Sequence, residues 1–173
     1  MPALRLNPIS RAGKFVMQIG KKGESKGNAD TRNVNMAADT FVHAKTNELF
    51  VADGYGNKRI IVFDADTGAY KRHWGAFGKP PSDAKADKPK VPEASRIPAR
   101  EETGPGPDQF DNPVHAARVS NDDLVYVSDR GGKRVQVFKL DGTFVTQTFI
   151  DRWCEAPHYG NGQIGRASCR ERV

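Results

Sequence analysis

The sequence contains little of what marks several common protein classes. It has only two cysteines, Cys154 and Cys169, and no cysteine spacing typical of a metal site. No apolar run approaches the ~20 residues that a membrane-spanning helix needs, so no membrane span is predicted. The first residues, M-P-A-L-R-L-N-P, lack the basic and apolar regions of a signal peptide, and none is predicted there.

An excess of one charge and helical periodicity are missing as well. The 27 lysines and arginines are interspersed with 21 aspartates and glutamates, which gives a net charge of +6 without a block of like charge. This pattern favours a mixed, solvated surface over a nucleic-acid-binding patch. Since no segment of useful length repeats with the period of a helix, a helical fold is excluded too.

What the sequence does contain is an internal repeat. Its two copies are L-F-V-A-D-G-Y-G-N-K-R-I-I-V-F-D (49–64) and L-V-Y-V-S-D-R-G-G-K-R-V-Q-V-F-K (124–139). Asp53 aligns with Asp129, and Arg59 aligns with Arg134. We predict that these Asp–Arg pairs are structural, because they recur while the residues between them change.

Each copy is predicted to form four short strands, since β-branched and aromatic residues fill the runs between turn residues. The predicted strands are Met36–His43, Glu48–Asp53, Arg59–Asp64, Ala69–Gly75, Val114–Ser120, Leu124–Asp129, Lys133–Lys139 and Phe144–Ile150. Four strands in about 40 residues are typical of a β-propeller blade. The predicted fold class is therefore all-β, a partial propeller with two complete blades and the outer half of a third.

The predicted organisation follows from these repeats. It comprises the outer strands of a truncated blade (1–20), a blade (21–78), an insertion (79–109), a second blade (110–150), a linker to a missing blade (151–163) and a non-native tail (164–173). The tail, I-G-R-A-S-C-R-E-R-V, looks like one reading frame of a sequencing adapter. The insertion is proline-rich and balances six basic with six acidic residues. It is interpreted as an extended surface loop or as a lid or partner-binding segment.

Both repeats, with the G-P-G-P-D-Q-F-D-N-P-V-H that leads into the second, resemble the NHL-repeat family of propellers. The resemblance covers about residues 3–78 and 104–150. It implies a ring, which we expect to have six blades, and a recognition scaffold for a peptide, a small molecule or a protein partner. Some members of the family bind RNA, which is disfavoured here because no basic face is evident.

Three residues are candidates for chemistry at the end of the sheets where the innermost strands begin. His115 lies near the start of such a strand, and counting back from Asp129 and Asp53 aligns it with Asp39. An imidazole and a carboxylate converging there could hold a metal ion, or could line a wet channel. The turns between the second and third strands display Tyr55 and Arg130 at the same end.

Among NHL-type propellers, the chain is most similar to the peptidylglycine α-amidating lyase, which cleaves peptidyl-α-hydroxyglycine to a peptide amide and glyoxylate. The resemblance implies a zinc cofactor with His115 as one of three histidine ligands, Tyr55 acting on the substrate hydroxyl and Arg130 holding the substrate. It also implies an extracytoplasmic protein, with any signal peptide lost by truncation.

Two departures leave the function open. Gly56 stands where the lyase has a disulfide-bonded cysteine, and the other two zinc histidines would fall outside this chain. The leading interpretation is thus a recognition scaffold. The alternative is a fragment of a zinc-dependent lyase-like enzyme, which we expect to be inactive alone.

Overall fold

The structure is a computed structural model that describes residue 15, residues 17–83 and 107–150, and the backbone of 159–160 and 163–164. It contains two four-stranded antiparallel sheets in which neighbouring strands follow one another along the chain. The first sheet comprises β1 (Asp39–His43), β2 (Glu48–Asp53), β3 (Arg59–Asp64) and β4 (Tyr70–Trp74); the second comprises β5 (Val114–Val119), β6 (Leu124–Asp129), β7 (Arg134–Lys139) and β8 (Phe144–Phe149). A separate two-stranded sheet pairs β9 (Tyr159–Gly160) with β10 (Gln163–Ile164).

The all-β class and all eight predicted strands are confirmed. Helical geometry in the described residues is limited to the 3-10 turn Ala76–Gly78. Seven strands begin and end within one residue of the predicted bounds. The exception is β1, which begins at Asp39 rather than at Met36. The reason is local, because Met36 takes the left-handed conformation (φ 56°), which no strand residue adopts.

The two sheets pack face to face across an apolar core. Phe50 and Ala52 of β2 point toward the second sheet, while Leu49 and Val51 point away from it, as the two-residue period of a strand requires. The buried core residues between the sheets are Phe50, Ala52, Ile60, Val62, Trp74, Ala76, Phe110, Val114, Ala117, Val119, Val125, Val127 and Phe138. Burial of one such large side chain contributes about 1.5–3 kcal/mol.

The far face of the first sheet is covered by its own N-terminal segment. Ile19 and Val34 pack against Leu49, Val51 and other buried residues of that face. The central strands of the first sheet are therefore covered on both sides, which explains why every residue of β2 is buried.

The predicted structural role of the Asp–Arg pairs is confirmed in the first sheet. Arg59 donates from Nε to Asp53 Oδ2 at 2.9 Å, and neither side chain is exposed to solvent. Its Nη atoms donate to the backbone carbonyls of Asn28, Asp30 and Asn33 at 2.6–2.8 Å. The guanidinium thus ties the N-terminal loop to the β2–β3 turn.

The second sheet repeats this arrangement. Arg134 donates from Nε to Asp129 at 2.8 Å and from Nη2 to the carbonyl of Gln109 at 2.9 Å. The backbone N–H groups of Asp111 and Gly132 donate to the same carboxylate. Burial raises the pKa of Asp129 to about 6, and the Arg134 guanidinium and these hydrogen bonds oppose that shift.

A carboxylate at the opposite end of the first sheet joins the two sheets. Arg72 forks onto both oxygens of Glu48 at 2.7 Å and donates from Nε to the carbonyl of Leu140, in the turn that follows β7. The hydrogen bond from Arg72 lowers the pKa of Glu48 to about 2, with Thr46 and Lys71 adding to the effect.

Glu48→Gln is therefore expected to reduce stability in a pH-dependent way. The folded-state pKa lies below the unfolded value, so Glu48 stabilises the protein above about pH 4.5 and loses this effect as the pH falls toward 2. After allowance for screening by solvent, the loss at neutral pH is about 1–2 kcal/mol. Urea unfolding of both proteins at about pH 7 and pH 3 measures it, with exposed Glu24→Gln as the control. A difference that does not shrink at low pH would contradict this interpretation.

Parts of the predicted organisation lie outside the described residues. Of the insertion, only 79–83 and 107–109 are described; its two ends are joined by the ion pair between Lys79 Nζ and Asp108 Oδ1 at 2.9 Å. The predicted truncated blade (1–20) is described only at residues 15 and 17–20, and the linker and tail only in β9 and β10. No helix in the described part of the chain is long and apolar enough to cross a membrane.

Candidate functional site

The three predicted site residues lie at the same end of the two sheets. Tyr55 is in the turn between β2 and β3, and Arg130 is in the corresponding turn between β6 and β7. His115 is the second residue of β5, which begins opposite Asp129. β2 and β6 both end where β5 begins. The antiparallel topology therefore places Tyr55, Arg130 and His115 at this one end of the sheets.

The turn that carries Tyr55 is held from both sides. The Tyr55 N–H donates to the carbonyl of Met36 at 3.1 Å, and the Gly56 N–H donates to that of Asn35 at 2.9 Å. From the second sheet, Asn112 Nδ2 donates to the Tyr55 carbonyl at 3.2 Å. Tyr55 as a whole is 45% exposed, although these hydrogen bonds fix its backbone.

A glycine makes the approach of the two sheets possible at this point. A Cβ on Gly54 would lie 1.9 Å from the carbonyl oxygen of Val114, well inside van der Waals contact. Any other residue at this position would push the Tyr55 turn away from the start of β5.

His115 lies at a β-bulge. The register pairs Val114 with Asp129 and then Ala116 with Ser128, so His115 is the extra residue on its strand. β1 has no such shift in its pairing with β2. A bulge re-aims a side chain and is frequent beside active sites, which gives His115 an orientation that no residue of β1 shares.

The predicted alignment of His115 with Asp39 is wrong by one residue. Asp39 pairs with Ala52, the counterpart of Ser128, and so corresponds to Ala116. Equal counting fails because the bulge adds a residue to β5 alone. The Asp39 carboxylate is hydrogen-bonded to both Nη atoms of Arg118, and this ion pair joins the inner strands of the two sheets.

The structure brings Tyr55 and His115 into direct contact. Their ring centroids are 5.9 Å apart and their planes are inclined at 74°, the edge-to-face geometry that aromatic pairs prefer. Arg130 begins the neighbouring turn, and its N–H donates to the Pro113 carbonyl at 3.1 Å, two residues before His115. Asn112 was missed by sequence reasoning, because its interaction with Tyr55 exists only once the sheets have packed.

The described residues do not form a zinc site by themselves. His115 supplies one imidazole, but no group of three His, Cys, Asp or Glu side chains lies together in the described part of the chain. His43 is hydrogen-bonded to Thr46 at 2.9 Å, and His73 to the Tyr70 hydroxyl at 2.8 Å. The zinc ion that the family resemblance implies would need ligands from elsewhere, and no chemical step is assigned to it.

Comparison with known proteins gives a distant relationship. The chain is 28% identical over 137 residues to "Peptidylglycine alpha-amidating monooxygenase" of Rattus norvegicus and 27% identical over 137 residues to the Mus musculus "Peptidyl-glycine alpha-amidating monooxygenase". The chain is similar to amidating enzymes. Each match covers 79% of this chain but only 11% of the relative, so the chain spans about a tenth of their length. No family model matches, and membership of the NHL family stays a prediction.

Proposed function

We propose that the two sheets are neighbouring propeller blades of the NHL type, and that their shared end forms part of the substrate site of an α-amidating lyase-like enzyme. The observation that carries the proposal is the edge-to-face contact between Tyr55 and His115, which come from different sheets. The similarity to peptidylglycine α-amidating monooxygenases supports it.

Cleavage of a peptidyl-α-hydroxyglycine needs two proton transfers. The hydroxyl loses its proton as its oxygen becomes the aldehyde oxygen of glyoxylate, the bond between the α-carbon and the amide nitrogen breaks, and that nitrogen gains a proton. Tyr55 is 45% exposed and its ring contacts His115, so its phenol is the group that takes the hydroxyl proton in this proposal.

Arg130 is proposed to recognise the carboxylate that becomes part of glyoxylate. A guanidinium binds a carboxylate through two parallel hydrogen bonds, which would orient the scissile bond. The half-buried Arg130 begins a turn whose backbone is fixed on Pro113, close to His115.

A recognition scaffold without catalysis is the second candidate function. It is favoured because no group of three His, Cys, Asp or Glu side chains that could hold a metal lies among the described residues. An exposed tyrosine and an arginine are sufficient to bind a peptide. The two functions differ in one respect, since only the enzyme releases glyoxylate.

His115→Ala tests the proposal in the full-length gene product that carries this sequence. Loss of His115 removes the imidazole against which Tyr55 packs, and the misplaced phenol is expected to slow glyoxylate release by about a hundredfold. His73→Ala, a histidine of β4 outside the site, is the matched control and is expected to keep its activity. Equal rates in the two variants would favour the recognition scaffold.

A further inference from the structure

One short segment connects both turns of the proposed site. The Asn112 segment, defined as Asp111–Val114, precedes His115 and lies between the turn of Tyr55 and the turn of Arg130. It belongs to neither turn, so its contacts with both of them link the two sheets at their shared end.

The contacts with the Tyr55 turn come from two residues of this segment, Asn112 and Val114. Asn112 donates from Nδ2 to the Tyr55 carbonyl at 3.2 Å. The Val114 backbone lies directly against Gly54, where a Cβ would meet its carbonyl oxygen at 1.9 Å. The first contact is directional and specific to an amide side chain, whereas the second is steric.

The contacts with the Arg130 turn come from Asp111, Asn112 and Pro113. The Arg130 N–H donates to the Pro113 carbonyl at 3.1 Å, and the Asp111 N–H donates to the carboxylate of Asp129 at 2.9 Å. A Cβ on Gly131 would lie 2.4 Å from the Asn112 carbonyl oxygen, so backbone meets backbone there as well. The backbone of Asn112 is therefore fixed by the second sheet, while its side chain reaches to the first.

We propose that Asn112 is a positioning residue that holds the Tyr55 phenol against His115. Its amide fixes the peptide plane that follows Tyr55, and hence the backbone from which the phenol projects. Asn112 itself is exposed, so replacing it opens no cavity in the core. The inference rests on the proposed function for its catalytic consequence, but the geometry that it describes is measurable without catalysis.

Asn112→Asp is the sharpest variant, because it keeps the shape of the side chain and replaces the N–H donor by an oxygen. In the full-length gene product, kcat for a peptidyl-α-hydroxyglycine is expected to fall about 10- to 100-fold, with KM changed less than threefold, since a misplaced catalytic group costs that much. Asn121→Asp, at an exposed turn at the opposite end of the sheets, is the control and is expected to keep both constants.

A second measurement, the NMR resonances of the His115 ring protons, reports the position of the Tyr55 ring without catalysis. The Tyr55 ring shifts the His115 ring proton resonances, and Tyr55→Leu defines their position when the ring is absent. Asn112→Asp is expected to move these resonances toward the Tyr55→Leu position, while Asn121→Asp leaves them in place. Unchanged resonances in Asn112→Asp would overturn the inference.

The two readouts separate failure of this inference from failure of the proposed function. If Tyr55→Phe abolishes glyoxylate release but Asn112→Asp keeps its kcat, Asn112 is not a positioning residue for the reaction. If the wild-type protein releases no glyoxylate, the proposed function fails, and the His115 resonances alone decide whether Asn112 positions the ring pair.

Discussion

Tyr55→Phe is expected to lower kcat for peptidyl-α-hydroxyglycine cleavage by about 10²–10⁴, the usual contribution of a general acid–base group. Phenylalanine keeps the ring that meets His115 edge-on and removes only the hydroxyl. Because that hydroxyl is on a side chain that is 45% exposed, its loss leaves no buried polar group unpaired, and the fold is expected to be unchanged. Steady-state kinetics of glyoxylate release in the full-length gene product measure the effect.

Tyr70→Phe is the matched control for this prediction. Tyr70 is 40% exposed, close to the value for Tyr55, and its hydroxyl is also near an imidazole, that of His73. It lies on β4, away from the turn between β2 and β3 that carries Tyr55. Activity lost equally in both variants would show a general sensitivity to tyrosine substitution rather than a role for the Tyr55 hydroxyl.

Arg59→Met is expected to give the largest loss of stability, about 3–5 kcal/mol, because it leaves a buried partner without its counter-charge. The carboxylate of Asp53 would lose the donor at 2.9 Å, and the carbonyls of Asn28, Asp30 and Asn33 would lose theirs. All of the Arg59 side chain is buried, so no water replaces it without rearrangement. Urea unfolding monitored by tryptophan fluorescence measures the change.

Two further variants make the stability prediction specific. Arg32→Met removes an exposed arginine of the same loop and is expected to change stability by less than about 0.5 kcal/mol. Arg59→Lys keeps the charge but cannot reproduce the planar fork of donors, so an intermediate loss is expected. A loss below about 1 kcal/mol in Arg59→Met would show that the buried pair is not what holds the loop to the sheet.

The strands were predictable from sequence because their signals are local. Runs such as R-I-I-V-F-D and L-V-Y-V-S-D combine β-branched and aromatic residues, and turn residues bound them on both sides. The structural role of Arg59 and Arg134 was predictable for a different reason, namely that they recur at the same place in both copies. The one strand end that differed by more than one residue, at Met36, depends on a backbone conformation that its residue type does not signal.

The location of the candidate site was predictable from the sequence, but its geometry was not. The equivalence of the two turns placed Tyr55, His115 and Arg130 at one end of the sheets. Counting along the chain could not detect the bulge at His115, because counting assumes one-to-one pairing, whereas a bulge places an extra residue on one strand. The contact between Tyr55 and His115 depends on how the sheets pack, as does the hydrogen bond from Asn112.

The central claim is that this end of the two sheets belongs to a site that splits peptidyl-α-hydroxyglycine. The most direct test incubates such a peptide with the wild-type full-length gene product and follows peptide amide and glyoxylate together by mass spectrometry. We expect the two products to appear in equal amounts, at a rate well above that without protein. A peptide that binds but is released intact, at the rate seen without protein, would contradict the claim.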